Sequence, residues 1–232
     1  MKKKSRMYEG TKTWNPFKGC NYGCIYCIPS FQHICKVYNK CPKCKEYVPH
    51  YHPERLKLNK IPNAKIVFVC GNGDITFCKP EFVHLIIETI KENNKSYPDI
   101  IYYFQSKNPK CLSQYVNYFP YNVIVLTTLE TNRNEGYCTI SGAPNPKRRW
   151  WDFVELDWLR KVVTVEPIID FDEKEFFDMI ISVNPEYVWV GYNSRPKSVE
   201  LPEPTVEKTQ RLVDALRKNG IEVKIKDGRG LI

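Results

Sequence analysis

Cys20, Cys24 and Cys27 stand on a Cys-x3-Cys-x2-Cys spacing within the run Cys20-Asn21-Tyr22-Gly23-Cys24-Ile25-Tyr26-Cys27. Three thiolates on one tight loop can each hold a different iron of a cubane iron–sulfur cluster and leave the fourth iron open. An open iron can bind a cofactor or substrate, which a four-cysteine site cannot. Gly19 and Gly23 leave the backbone free to wrap such a group. The alternative for the same thiols is zinc, which takes four ligands and commonly pairs Cys-x2-Cys units. A second group follows directly: Cys35, Cys41 and Cys44, with His33, His50 and His52 nearby. Cys41-Pro42-Lys43-Cys44 has the spacing of a zinc-knuckle turn, and His33 or His50 would complete a Cys3His set. Structural zinc, a second iron–sulfur cluster and free thiols are the competing readings.

The charge is gathered around these cysteines. Residues 1–60 carry 13 basic and 3 acidic side chains, whereas residues 61–232 carry 22 and 23, so the net +9 belongs to the N-terminal quarter. Lys36, Lys40, Lys43 and Lys45 alternate with Tyr38 and Tyr47. Basic residues interleaved with aromatics suit nucleic-acid phosphates and bases, and a solvated basic insertion is the plain alternative. A chain of 232 residues with 42% hydrophobic composition can bury a full core and is not a disordered protein. Its longest apolar runs, such as 66–70, fall far short of the roughly 20 residues a membrane helix needs. Met1 to Met7 is basic, but no apolar stretch follows as in a signal peptide. Clustered cysteines without such a signal point to metal binding in a reducing compartment, here the cytoplasm, rather than to a disulfide scaffold.

The elements that must position these residues follow from periodicity. Short β-branched and aromatic runs at 66–70, 100–104, 122–126, 162–165, 187–190 and 221–225 read as buried strands, and a first strand is expected near 12–14. Amphipathic segments at 80–93, 171–183 and 205–219 read as helices, and 109–118 as a weaker one. Strands and helices alternating at this pitch give βαβ units around a parallel sheet, and about seven strands suggest a barrel or partial barrel. The stretch 131–149 has no strand or helix signal and ends in the basic aromatic run Lys147-Arg148-Arg149-Trp150-Trp151, so a functional loop is expected there. Ligands of parallel α/β folds sit at the C-terminal ends of the strands. The residues after each strand are therefore the candidate rim.

The cysteine loop, with an aromatic residue before its last cysteine (Tyr26), resembles the signature of radical S-adenosylmethionine (SAM) enzymes. The wider chain also resembles a phage- and prokaryote-encoded radical-SAM-like family of largely unassigned role. The matching pieces are Trp14-Asn15-Pro16, His52-Pro53-Glu54-Arg55-Leu56, the strand ending in Asp74, Phe104-Gln105-Ser106-Lys107-Asn108-Pro109, Val165-Glu166-Pro167, Val188-Trp189-Val190-Gly191 and Lys226. His52 belongs to one of these pieces and ranks last among the ligands of the second group. That family often has a longer gap between the first two cysteines, and a Tyr where this chain has Ile28. The resemblance implies an α/β fold: a partial (β/α)6 TIM-like barrel forming one domain over 1–232, with a Cys/Lys-rich insertion at 28–52. It implies a [4Fe–4S] cluster on Cys20, Cys24 and Cys27, SAM as the second cofactor, and an external one-electron donor. SAM chelated to the open iron would be cleaved to methionine and a 5′-deoxyadenosyl radical that takes a hydrogen atom from substrate.

Rim positions then become cofactor contacts. Gly71-Asn72-Gly73-Asp74 occupies the place of the family's SAM-amine segment, with Asp74 accepting from the ammonium. Ser106, Lys107, Thr128, Glu130 and Glu166 are candidates for the SAM carboxylate and ribose, and Tyr26 packs beside cluster or adenine. Lys226 is a candidate contact with SAM or substrate, and Cys138 in the long loop a candidate hydrogen-atom donor. Solvated loop residues are the plain alternative for each. Cys70, Cys78 and Cys111 lack ligand spacing and read as small buried hydrophobes, and His84 as an ordinary helix residue. The expected function is radical SAM chemistry that modifies or repairs a nucleic acid or nucleotide. A peptide or small-molecule substrate is the first alternative, and a zinc-dependent nucleic-acid-binding module without SAM turnover the second.

Overall fold

A computed structural model describes residues 10–226 and 229–231, and the basic run Met1 to Met7 lies outside the described residues. Seven parallel strands form one sheet: β1 (Thr11–Trp14), β4 (Ile66–Val69), β5 (Ile101–Gln105), β6 (Val123–Thr128), β7 (Lys161–Val165), β8 (Tyr187–Gly191) and β9 (Glu222–Lys226), in chain order across the sheet. Two short strands, β2 (Phe17–Lys18) and β3 (His50–Tyr51), pair antiparallel on their own. The register is continuous from Thr11↔Ile66 through Gly191↔Lys226, and β1 and β9 stand as the two edges. This is the expected partial barrel, a curled sheet that does not close.

Residue parity along the strands builds two apolar layers. Val67, Val69, Tyr102, Phe104, Val123, Val125, Val163 and Val188 pack outward under the helices. Alternate positions Phe68, Tyr103, Ile124, Leu126, Val162 and Tyr187 fill the concave face. Strands buried on both faces must be apolar throughout, which is why no alternation shows in the sequence. Helices α3 (Pro80–Asn94), α5 (Glu173–Ser182) and α6 (Val206–Lys218) cover the outer layer with Val83, Ile86, Ile87, Phe176, Ile180, Leu212 and Leu216, as their periodicity requires. Among the described residues no helix is long and apolar enough to cross a membrane.

Two expectations change. Pro109–Tyr118 winds as a 3₁₀ helix rather than an α-helix. The stretch 131–149 is not featureless: a 3₁₀ turn covers Tyr137–Thr139, and α4 runs Pro146–Val154. Asn145 caps α4, its side chain accepting from the Arg148 amide at 2.8 Å, and Pro146 occupies the first turn. Asn-Pro suits a turn and a helix start equally, so composition alone reads as loop. The basic aromatic run is therefore helical, with Arg149 buried and Trp151 exposed. The cysteine-rich segment carries two short helices, α1 (His33–Tyr38) and α2 (Pro42–Glu46), between β2 and β3.

Phe104 is fully buried in the outer layer, whereas Leu159 is 94% exposed. Phe104→Ala is expected to cost about 3–5 kcal/mol in urea unfolding, and Leu159→Ala to stay within about 0.5 kcal/mol.

Candidate active site

The concave apolar layer ends below a polar one. Continuing the same parity, Gln105, Thr128, Thr164 and Glu166 point into the mouth of the half-barrel above Phe68, Tyr103 and Leu126. Gln105 Nε2 donates to Thr128 Oγ1 at 2.9 Å, and Thr164 Oγ1 lies 3.0 Å from Thr128 Oγ1. Over this layer opens a cavity of about 970 Å³ counted to its mouth, within the range small-molecule sites occupy. Cys20, Cys24 and Cys27 form part of its wall, with Tyr26, Gly71, Gly73, Asp74, Lys107, Thr128 and Glu166. Seven expected cofactor contacts and all three loop cysteines thus meet in one place.

The cysteine loop has no ladder of its own and is gripped from three sides. Gly19 pairs with Gly73 as an isolated parallel bridge: Gly19 N donates to Asn72 O (3.0 Å), and Asp74 N donates to Gly19 O (3.2 Å). A Cβ on Gly73 would stand 2.6 Å from Gly19 O. The segment 71–74 is therefore the dock for the loop, and Asn72, whose amide donates to Asn15 Oδ1 at 2.9 Å, does not line the cavity. On the second side Cys20 N donates to Tyr47 O (3.3 Å). On the third, Ile25 N donates to Ile140 O (3.0 Å), Gly142 N donates to Tyr22 O (2.8 Å), and Cys24 Sγ meets Ser141 Oγ at 3.0 Å. The long stretch after β6 is functional in this sense: it clamps the loop. Ser141 carries no sequence signal, because only the fold brings it across 117 positions to Cys24.

Three thiols on one wall fit a cubane cluster with one iron left free, since no other cysteine lines the cavity among the described residues. One zinc needs its ligand atoms gathered around a single point. Among the described residues Cys41, Cys44, His50 and His52 form such a group, with all ligand atoms within 4.8 Å of one another, and the loop thiols do not. Burial, with Asp74 nearby, pushes the Cys20 thiol well above its ordinary range, so a bound cation is what would ionise it.

Several expected contacts serve the frame instead. Glu130 is 0% exposed and does not line the cavity. Its Oε2 accepts from Arg149 (2.6 Å), itself 0% exposed, and its Oε1 accepts from Tyr26 OH (2.6 Å), Tyr137 OH (3.0 Å) and Lys107 Nζ. Burial alone would raise the Glu130 pKa, but Arg149 and Lys107 outweigh it and hold the carboxyl well below the usual range. Lys107 lies 5.0 Å from the Tyr26 ring centre. Tyr26 and Lys107 thus reach the cavity wall already tied to a buried anion. Ser106 also turns away from the cavity, donating to Asp74 Oδ1 at 2.6 Å. Asp74 lines the wall, yet it already accepts from Ser106, Thr76 N (3.0 Å) and Lys107 N (2.8 Å). Its carboxylate has room for about one further donor.

Glu166 faces the cavity and is ion-paired with Lys226, which stays off the wall. Gly191 makes room for the pair: a Cβ there would lie 3.2 Å from both Glu166 Cγ and Lys226 Cβ. Cys138 is exposed and outside the cavity, so its hydrogen-donor role is not supported. In the second cysteine group, His33 is exposed on α1, and Cys35 is buried beside Cys44 but outside the tight set. His52, ranked last, is inside it, because β3 turns residues 50 and 52 to the same side. Thr164, Asn193, Ser194 and Tyr47 also line the cavity, beyond the expected cofactor contacts. Thr164 was legible as the one hydroxyl in an otherwise aliphatic run after Lys161.

Glu130→Gln would leave Lys107 and Arg149 without their anion and is expected to destabilise the fold by about 3–5 kcal/mol. A depressed carboxyl contributes stability that is full above the ordinary glutamate value of 4.5 and is lost as pH falls below it. The gap between wild type and Glu130→Gln in chemical denaturation should therefore narrow on acidification. Gly73→Ala, which forces the loop off its dock, should lower the unfolding midpoint; an unchanged midpoint would contradict the bridge.

No protein-family model matches the chain, and no curated protein sequence does. Solved structures do. SuiB of Streptococcus suis bound to the precursor peptide SuiA superposes with a TM-score of 0.62 at 11% identity, over 94% of this chain and 48% of SuiB. SuiB bound to S-adenosylmethionine gives 0.59 at 11% identity, over 94% and 50%. The chain spans about half the length of the SuiB chains it matches. Identity this low speaks for the fold alone: the chain shares the fold of about half of SuiB.

Proposed function

We propose that this chain is a radical SAM enzyme whose substrate is a polypeptide. The observation that carries the first part is the meeting of Cys20, Cys24 and Cys27 with a polar rim in one cavity at the C-terminal ends of the strands. The chemistry a [4Fe–4S] cluster on these thiols would supply, given an external one-electron donor, is reductive cleavage of SAM to methionine and a 5′-deoxyadenosyl radical. The chain's own part is to bind, orient and keep water out. Phe68 closes the floor, and Gln105, Thr128 and Thr164 offer hydrogen bonds to hydroxyls. Glu166, held by Lys226, offers an acceptor. Lys107, neutralised by Glu130, holds Tyr26 in place.

The rim supports a peptide over a nucleic acid. Residues 28–52 form, on this reading, a substrate-facing insertion in a single domain. Ile28, Phe31, Ile34 and Val37 recur at a spacing of three and are 51–56% exposed, with Tyr38 at 80%. Phe31 also lines the cavity, so this apolar face runs to its mouth. An apolar helical stripe suits side chains of a polypeptide. The basic–aromatic interleaving expected for nucleic acid does not survive folding: Tyr47 is buried, leaving Tyr38 as the exposed aromatic among the lysines. That SuiB, on the same fold, is solved with a precursor peptide supports the same reading.

Anaerobically reconstituted protein is expected to hold about four irons on the loop thiols and, with reductant and SAM, to release 5′-deoxyadenosine; Cys24→Ser should abolish both. Because the hydrogen atom comes from substrate, 5′-deoxyadenosine should gain deuterium from a perdeuterated cellular peptide fraction and not from the matching nucleic-acid fraction. Deuterium arriving only from nucleic acid would overturn the peptide assignment.

A further inference from the structure

The second cysteine group gathers four metal-ligating side chains, Cys41, Cys44, His50 and His52, apart from the cavity. Its four ligand atoms converge: Cys41 Sγ lies 3.6 Å from His50 Nε2, Cys44 Sγ 3.3 Å from His50 Nε2 and 3.5 Å from His52 Nε2, and the two Nε2 atoms are 2.9 Å apart. Zn–S bonds of about 2.3 Å and Zn–N bonds of about 2.0–2.1 Å in a tetrahedron predict ligand separations of about 3.3–3.8 Å. The three Cys–His separations fall in this range, the His–His contact is shorter, and all four atoms lie within 4.8 Å of one another. A two-iron cluster would place the histidine pair and the cysteine pair on different metals, too far apart for all four atoms to lie within 4.8 Å.

The outer contacts set the tautomers. His50 Nδ1 lies 2.7 Å from Val48 O, and His52 Nδ1 lies 3.0 Å from Glu54 Oε1. A carbonyl and a carboxylate only accept, so each Nδ1 carries the hydrogen and each Nε2 keeps its lone pair. Two lone pairs then face each other at 2.9 Å beside two thiols, in a buried pocket. That contact is repulsive until a cation sits between them, and a hydrogen-bonded Nδ1 is how metal-binding histidines are held. The Lys43 and Cys44 amides lie close to Cys41 Sγ, as in a zinc knuckle.

We propose that Cys41, Cys44, His50 and His52 bind one Zn²⁺ as a closed structural site, and that this zinc positions the cysteine loop. Binding releases the two thiol protons, so Zn²⁺ and two thiolates leave the buried site neutral. Full coordination by protein atoms leaves no open position, which is the mark of a structural site. The site joins α2 to β3, and β3 pairs with β2 immediately before Gly19. Between them the turn at Tyr47, with φ of 62°, gives its carbonyl to Cys20 N and sets its hydroxyl near Cys27. Gly19 approaches Val48 so closely that a Cβ would stand 2.1 Å from Val48 O. Two of the three loop cysteines therefore lean on a turn that the zinc holds.

The test is metal content and zinc X-ray absorption on the whole protein. Wild type should carry about one zinc per chain with two sulfur and two nitrogen neighbours. The triple variant Cys20→Ser, Cys24→Ser, Cys27→Ser should keep it, so this outcome stands or falls independently of the iron–sulfur reading. Cys35→Ala should also keep zinc, whereas Cys41→Ser and His52→Ala should lower occupancy at least about fivefold, and Glu54→Gln should weaken affinity about tenfold. For positioning, zinc removal by chelator should slow trypsin-resistant refolding of the segment around Tyr47 and expose Cys20 and Cys27 to a thiol reagent, with zinc restoring protection. A wild-type site with three or four sulfur neighbours, no zinc, or zinc lost in Cys35→Ala but kept in His52→Ala would overturn the proposal.

Discussion

The buried carboxylate of Glu130 is the contact on which the rest of the site depends. It sits just past β6 with no exposure and collects two cations and two phenols from four separate pieces of chain. Arg149 brings α4, Lys107 brings the end of β5, Tyr26 brings the cysteine loop and Tyr137 brings the long connection. A buried ion costs several kcal/mol to desolvate, so the carboxylate depends on the partners it collects, and Arg149 Nε is the buried donor of this network left without one. The gain is specificity more than stability: each partner has one place to stand.

The cysteine loop illustrates why such support is needed. A loop that turns three thiols toward one cavity wall does not spend its amides on a helix or sheet ladder, so its orphan groups must be met from elsewhere. Here they are met by Asn72 and Asp74 from the sheet, by Tyr47 from the insertion, and by Ile140 and Gly142 from the connection after β6. Close approach needs bare backbone at the bridge, and Gly19 and Gly73 supply it on both sides. The loop is thus a passenger on three rigid neighbours, and its cysteines inherit their positions from them.

The half-barrel divides its interior by the same parity that builds it. Inward residues near the strand starts are apolar and pack as a plug. Inward residues near the strand ends are Gln105, Thr128, Thr164 and Glu166, and they face the cavity. An open sheet leaves one side of that cavity uncovered, and the insertion between β2 and β3 stands beside it with an exposed apolar stripe. Six of the ten cysteines and an exposed apolar surface share one short segment, which the fold carries to the mouth of the site.

The sequence by itself determined the class of fold, because two-sided burial forces apolar strands and one-sided burial forces amphipathic helices. Each of the seven strands and three main helices was legible in that way. It also marked the three loop cysteines, whose spacing is local. What it could not decide was which polar residues meet a ligand and which hold the frame, since both classes occupy the same strand ends. Glu130, Ser106 and Lys226, expected at the rim, lie off the cavity wall and pair with Arg149, Asp74 and Glu166, and Ser141 meets Cys24 with no local mark in the sequence. His52 ranked last and His33 stood level with His50, until β3 turned His50 and His52 to one side and left His33 on an exposed helix face. Covalent spacing reaches only a few residues along the chain. Glu130 meets Arg149 across 19 positions and Tyr26 across 104, and Cys24 meets Ser141 across 117; such pairings are set by packing, and packing is a property of the folded whole.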